Sequence, residues 1–160
     1  MPIRCFFTLN GKTISTLHCS GYGTVGAFSG HGHGRDNPVE VATPNIGPIP
    51  PGTYYIVDRQ SGGSMGWVYD TAGPLLNLTT DRHNWFALLN PATGDTTMIN
   101  GVRRGQFRLH PDGPHGLSEG CIAVFNPAEF ELLQRFIRKS PPHVPVPRST
   151  LMAYGTLEVR

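Results

Sequence analysis

A chain of 160 residues suits one domain, so residues 1–160 are read as a single unit. Such a unit buries roughly 70% of the surface its unfolded form exposes and needs no staples to hold a core. Only 15% of the residues are charged, the formal charge is +2, and no Lys/Arg run interleaves with aromatics, which argues against a nucleic-acid partner.

No apolar run approaches the ~20 residues of a membrane-spanning helix. The apolar start Met1–Phe7 stops at Thr8–Lys12, too soon for a secretory signal. Three expectations stay open: the protein stays in the cytoplasm where it is made without a signal peptide, it leaves by a route that reads no cleavable signal, or a further segment precedes this sequence. Glycine and proline are both abundant and spread along the chain, which predicts many turns rather than a disordered tail.

Residues 1–20 read as a hairpin. Arg4–Leu17 holds two short runs of Phe, Thr, Ile and Leu around Asn10-Gly11, a strong two-residue turn signal. That turn opposes Cys5 to Thr16 and leaves Cys19 out of register. A Cys5–Cys19 disulfide then requires a bulge, or Cys19 in the following loop; the plain alternative is two small buried hydrophobes. With three cysteines, at least one thiol stays free.

Gly21–Gly34 reads as a glycine-dense loop. His31 and His33 within it raise a metal site, but no ligand spacing links them to Asp36 or Glu40. The prolines of Thr43–Tyr54 forbid helix and favour extended backbone and turns. Strands are expected at Thr53–Asp58, Trp67–Tyr69, Trp85–Leu89, Thr96–Ile99 and Phe107–His110, with turns at Ser61–Ser64, Asn90–Asp95 and Asn100-Gly101.

Trp67 and Trp85 are read as core or pocket wall. Asn126 is a helix N-cap with Pro127 at the first helical position, and Phe130, Leu133, Phe136 and Ile137 share one helical face. Pro141–Pro147 is a stiff connector, and Leu151–Val159 closes the chain as a strand. The fold class is mainly β with one packed helix.

The chemistry concentrates in Phe107–Val124. His110 ends an apolar run, a loop of Pro, Gly, Asp and Ser follows, and Cys121 stands eleven residues after the histidine. A cysteine and a histidine meeting across a loop satisfy the basic demand of thiol nucleophilic catalysis. His110 would take the thiol proton, and an adjacent imidazolium favours thiolate. The Gly120 and Cys121 N–H groups offer an oxyanion hole. Ser118 is a candidate for support of the loop or substrate. Asp112, Ser118 or a backbone carbonyl would orient His110. Arg104, Arg108 and His115 are candidate substrate contacts; for Arg103-Arg104 the plain alternative is solvated charge.

The segment from His110 through Ser118-Glu119-Gly120-Cys121 to Ile122 resembles the catalytic motif of L,D-transpeptidases, which act on bacterial cell-wall peptides. Thr43–Tyr54, the helix after the cysteine and the last strand are also similar to that family, from about Gly30 onward. The resemblance implies an L,D-transpeptidase-like β-sandwich or β-barrel.

Two positions depart from the common motif, Glu119 in place of histidine and Ala123 in place of arginine, and the histidine-to-cysteine spacing is shorter. The HPDGPHGLSEGCI and GPIPPGTYYIVDRQSGG runs are closer to the L,D-transpeptidase-like effectors of the type VI secretion system. That branch implies an antibacterial effector that removes or exchanges the terminal D-Ala of tetrapeptide stems in the periplasm of a target cell. It also implies secretion machinery and a cognate immunity protein as partners, and no cofactor. Two other readings stand beside it: a non-catalytic wall-binding β domain with a structural Cys121, and a metal-dependent amidase built on His31, His33 and His110.

Overall fold

The computed structural model describes residues 1–59, 84–113 and 120–160. Among these, twelve strands are present: β1 Ile3–Phe7, β2 Ser15–Cys19, β3 Gly23–Ser29, β4 Gly52–Asp58, β5 Phe86–Leu89, β6 Thr96–Ile99, β7 Val102–Gly105, β8 Arg108–Pro111, β9 Ile122–Val124, β10 Val144–Pro145, β11 Met152–Ala153 and β12 Gly155–Val159. One α-helix, α1 (Pro127–Ile137), follows β9. Eight of the strands close a barrel in the order β1-β12-β4-β5-β8-β9-β3-β2, and β6-β7 and β10-β11 are separate two-stranded sheets. The mainly β architecture with one packed helix is thus present, in its barrel form. The turn expected at Ser61–Ser64 and the strand at Trp67–Tyr69 lie outside the described residues.

Period-two alternation sets the barrel wall. In β2, Ser15, Leu17 and Cys19 are buried while Thr16 and His18 face out; in β12, Leu157 and Val159 point inward between half-exposed Thr156 and Glu158. Phe7, Ile56, Leu88, Leu109, Ile122 and Leu157 meet in the interior. The proline-rich connector has a second use: its Val146, together with Ala153 of β11, packs on Val57, Ala87 and Leu89 and covers the outer face of β4 and β5. That cover explains why β5 is buried on both faces.

The helix follows its sequence signals. Asn126 Oδ1 accepts the Ala128 N–H at 2.9 Å, and Pro127 opens the first turn. Phe130, Leu133 and Ile137 join the barrel core. Each such burial is worth about 1.5–3 kcal/mol. Arg138 fastens the far end by donating to Asp58 Oδ1 at 3.1 Å and to the Asn84 carbonyl at 3.1 Å, with its guanidinium 4.1 Å above the Phe86 ring.

Three expectations need correction. β1 and β2 are joined by a seven-residue connection, 8–14, instead of a two-residue turn, so Cys5 opposes Cys19 and Phe7 opposes Leu17. The two cysteines form a disulfide. Ser20 N–H donates to the Arg4 carbonyl beside them, which marks Cys5/Cys19 as a non-hydrogen-bonded pair, the one that brings Cα atoms closest.

The glycine-dense loop contains a strand at Gly23–Ser29, held between β2 and β9. Its glycines disguise the alternation, yet a Cβ at Gly26 would touch Phe125 at 3.7 Å and Ile14 at 3.8 Å, so little room remains there for a larger residue. The closing strand breaks at Tyr154 into β11 and β12, because Tyr154 N–H donates to Ile56 and its carbonyl accepts from Ile3, switching partners. Any Cβ at Gly155 would collide with the Ile3 backbone. Arg103-Arg104, left without an element in the sequence reading, lies on β7. It forms a hairpin with β6 across Asn100-Gly101, both at positive φ (49° and 78°).

Candidate active site

The site is built on the parallel pair β8–β9. Its register sets Leu109 against Ile122, His110 against Ala123 and Pro111 against Val124. Leu109 and Ile122 are fully buried and fill the barrel, so His110 and Ala123 take the outer face. Cys121 immediately precedes β9, two residues before Ala123, so continuing the β9 pleat by one residue carries it toward that face. The strand that carries the histidine and the turn that carries the cysteine therefore lie side by side, on a wall whose inward side chains are packed.

Cys121 is half-buried and, among the described residues, is the cysteine outside the disulfide. Its thiol lies 3.8 Å from the Gln106 carbonyl oxygen. Gly120, just before it, has φ of +111°, where L side chains are strained, and a Cβ there would lie 2.5 Å from an Arg104 guanidinium nitrogen and 2.9 Å from the Phe107 ring. Glycine is required on both counts.

His110 is 9% exposed. Its Nδ1 is 2.7 Å from the Pro111 carbonyl oxygen, and a proton on Nδ1 is the arrangement that makes this a bond. The neutral ring then carries its lone pair on Nε2, the state a general base needs. Trp85 stacks on the imidazole with centroids 4.5 Å apart and planes at 24°. Of the three orienting groups expected, the backbone carbonyl is the one bonded to Nδ1. Ser118 lies outside the described residues, as does His115. Asp112 follows His110 along the same strand face, with its N–H donating to the Val124 carbonyl at 2.7 Å. Burial pushes the Asp112 carboxyl up and Arg35 pulls it back.

The two arginines proposed as substrate contacts are otherwise engaged. Arg108 meets Asp95 through two bonds of 2.7 and 3.0 Å. Arg104 is buried, with its guanidinium turned onto the carbonyls of Val41 (2.7 Å), Pro48 (2.5 Å) and Gly47 (3.0 Å). This departs from the solvated-charge alternative for Arg104, because β7 turns that side chain beneath the loop and not toward solvent.

A second network, absent from the sequence reading, supports the Gly120–Cys121 turn. Ser29 Oγ donates to the Gly120 carbonyl at 3.2 Å and accepts the Ile49 N–H at 2.8 Å. Ser29 and Asp36 exchange bonds in turn, Ser29 N–H to Asp36 Oδ1 at 2.8 Å and Asp36 N–H to the Ser29 carbonyl at 2.8 Å. Asp36 is fully buried, its Oδ2 has no hydrogen-bond partner, and desolvation pushes its carboxyl up to about 7. Arg35 lies 3.9 Å over the Phe28 ring. Nothing in the local sequence marks Ser29, Arg35 or Asp36, because their importance comes from cross-chain contacts. His33 approaches Glu40 at 3.9 Å, and among the described residues no three of His, Cys, Asp and Glu gather as metal ligands.

The Tlde1 domain family model matches residues 23–149, most of the chain. The chain belongs to the Tlde1 domain family. That family is one of type VI secretion effectors, so the protein is an effector exported by that machinery, and a cognate immunity protein is implied. A search of curated proteins found no match. The matched span of the Tlde1 domain starts at the first residue of β3 and includes His110 and Cys121; the disulfide-linked β1 and β2 lie before it. Among the described residues, no helix is long and apolar enough to cross a membrane.

Proposed function

We propose that this Tlde1-domain effector is an antibacterial cysteine acyl-transfer enzyme that attacks peptidoglycan tetrapeptide stems. Cys121 thiolate adds to the carbonyl of the third, meso-diaminopimelate residue. His110 Nε2 takes the thiol proton and returns it to the departing amine of D-Ala. The Gly120 and Cys121 N–H groups receive the oxyanion. Water then resolves the thioester and regenerates the thiol, giving L,D-carboxypeptidase activity. A free D-amino acid resolving it gives exchange, and a second stem gives a cross-link. Hydrolysis and exchange are the expected outcomes, and both consume the tetrapeptide donor that a rival's wall synthesis needs, in the periplasm of the target cell.

The observation that carries this reading is the shared outer face of β8 and β9. His110, with its Nδ1 held by the Pro111 carbonyl, stands on β8, and Cys121, the cysteine outside the disulfide, stands just before the paired β9, which supports the reading. The resemblance of the His110–Ile122 segment to L,D-transpeptidases supplies the substrate class. Purified protein incubated with tetrapeptide muropeptides should release D-Ala and yield tripeptides. Cys121→Ala and His110→Ala should lose that activity by at least 100-fold. Tetrapeptide left intact by the wild type, or trimmed equally by Cys121→Ala, ends the proposal.

A further inference from the structure

Beneath the Gly120–Cys121 turn lies a buried cation. Arg104 extends from β7 under the nucleophile loop, and its three carbonyl partners, Val41, Gly47 and Pro48, tie down the segment that precedes β4. One guanidinium nitrogen occupies the space that a side chain at residue 120 would fill. Phe107 and Tyr54 complete the floor: the guanidinium carbon is 5.4 Å from the Phe107 ring centre, Tyr54 meets that ring edge-on at 5.9 Å, and the Tyr54 hydroxyl donates to the Pro50 carbonyl at 2.7 Å. A guanidinium stays protonated throughout the working pH range. A permanent positive charge is therefore held against the peptide that carries the thiol, where water screens it little.

We propose that Arg104 is a positioning residue for the nucleophile, holding the Gly120–Cys121 turn in place and stabilising the Cys121 thiolate from the buried side. This rests on the reading of Cys121 as the nucleophile. Burial lowers the guanidinium's own pKa, while attraction to Tyr54 and Cys121 raises it again. Attraction of this kind is mutual, so the Arg104 charge favours thiolate.

Other charged groups stand on the elements beside the Gly120–Cys121 turn. On β8 stand His110 and Arg108, the latter paired with Asp95. From the loop after β3, Asp36 reaches the turn through Ser29. His110 is the competing source of thiolate stabilisation, and the test separates the two.

The measurement is the rate of Cys121 alkylation by iodoacetamide across pH 4–10, on the full chain with Cys5–Cys19 oxidised so that one thiol reports. The wild type should titrate well below the ~8.5 of a free cysteine. Arg104→Met should raise the midpoint by about one to two pH units, as removal of a nearby opposite charge does, and Arg104→Lys should recover most of that shift. His110→Asn leaves the cation in place and should keep the midpoint at least about one unit below the free-thiol value.

A folded Arg104→Met that titrates like the wild type overturns the proposal. So does an Arg104→Lys midpoint no lower than that of Arg104→Met. Should Arg104→Met not fold, a His110→Asn midpoint at or above ~8.5 overturns it. If the midpoints behave as stated while tetrapeptides stay intact, the substrate reading falls and this one stands.

Discussion

Reducing the Cys5–Cys19 disulfide should weaken the fold by about 3 kcal/mol. The bond joins β1 to β2 across a sequence separation of 14. Closing a loop of about 15 residues removes roughly 10 cal/mol/K from the unfolded chain in the chain-entropy model, which is about 3 kcal/mol at 25 °C. β1 also carries the parallel pairing to β12 that closes the barrel, so the cross-link acts at the seam where the two ends of the chain meet. For a chain of this size, 3 kcal/mol corresponds to a fall in Tm of about 6–12 °C.

Both cysteines are essentially inaccessible (1% and 0% exposed), so the reduced form is best made by unfolding and refolding in reductant. Thermal and urea unfolding would then be compared for protein with one and with three titratable thiols. Equal stability of the two forms would refute the reasoning. It would mean that the unfolded chain is already constrained there, or that two buried thiols pack as well as the bond. Because cytosolic thiols are kept reduced and pair in oxidising compartments, the chain would gain this increment only in an oxidising compartment.

Asp36 gives a pH signature. Its folded midpoint of about 7 lies above that of a free carboxylate, so its neutral form is the one the fold favours. The stability it supports is full below about pH 4 and is lost as pH rises toward 7, by up to about 4 kcal/mol. Asp36→Asn keeps an acceptor for the Ser29 N–H and removes the titration, so urea midpoints of the variant should fall less between pH 5 and pH 8; parallel curves would contradict the assignment. Gly120→Ala introduces a Cβ against Arg104 and Phe107 at a φ of +111°. It should cost about 1–3 kcal/mol in denaturant unfolding and slow Cys121 alkylation at neutral pH; an unchanged alkylation profile would show that the turn tolerates displacement.

Local chemistry alone decides a good part of this protein. The Asn126-Pro127 cap and the spacing of Phe130, Leu133 and Ile137 specify the helix within one stretch of chain, because capping and 3.6-residue periodicity act over a few residues. The apolar run ending at His110 and the glycine before Cys121 likewise identify a histidine-bearing strand and a tight turn at the thiol. Pairing between strands is different. The seven residues between β1 and β2 hide the register that joins Cys5 to Cys19, and the glycines of β3 conceal a strand that only its neighbours β2 and β9 make necessary.

Arg103 and Arg104 look equivalent in sequence. The pleat of β7 exposes the first and buries the second on carbonyls more than fifty residues upstream. Ser29 and Asp36 reach the Gly120–Cys121 turn only because β3 lies beside β9. Which groups surround the thiol is thus set by barrel closure, a long-range condition that no short window of sequence contains, whereas which residues supply the thiol and the imidazole is written locally.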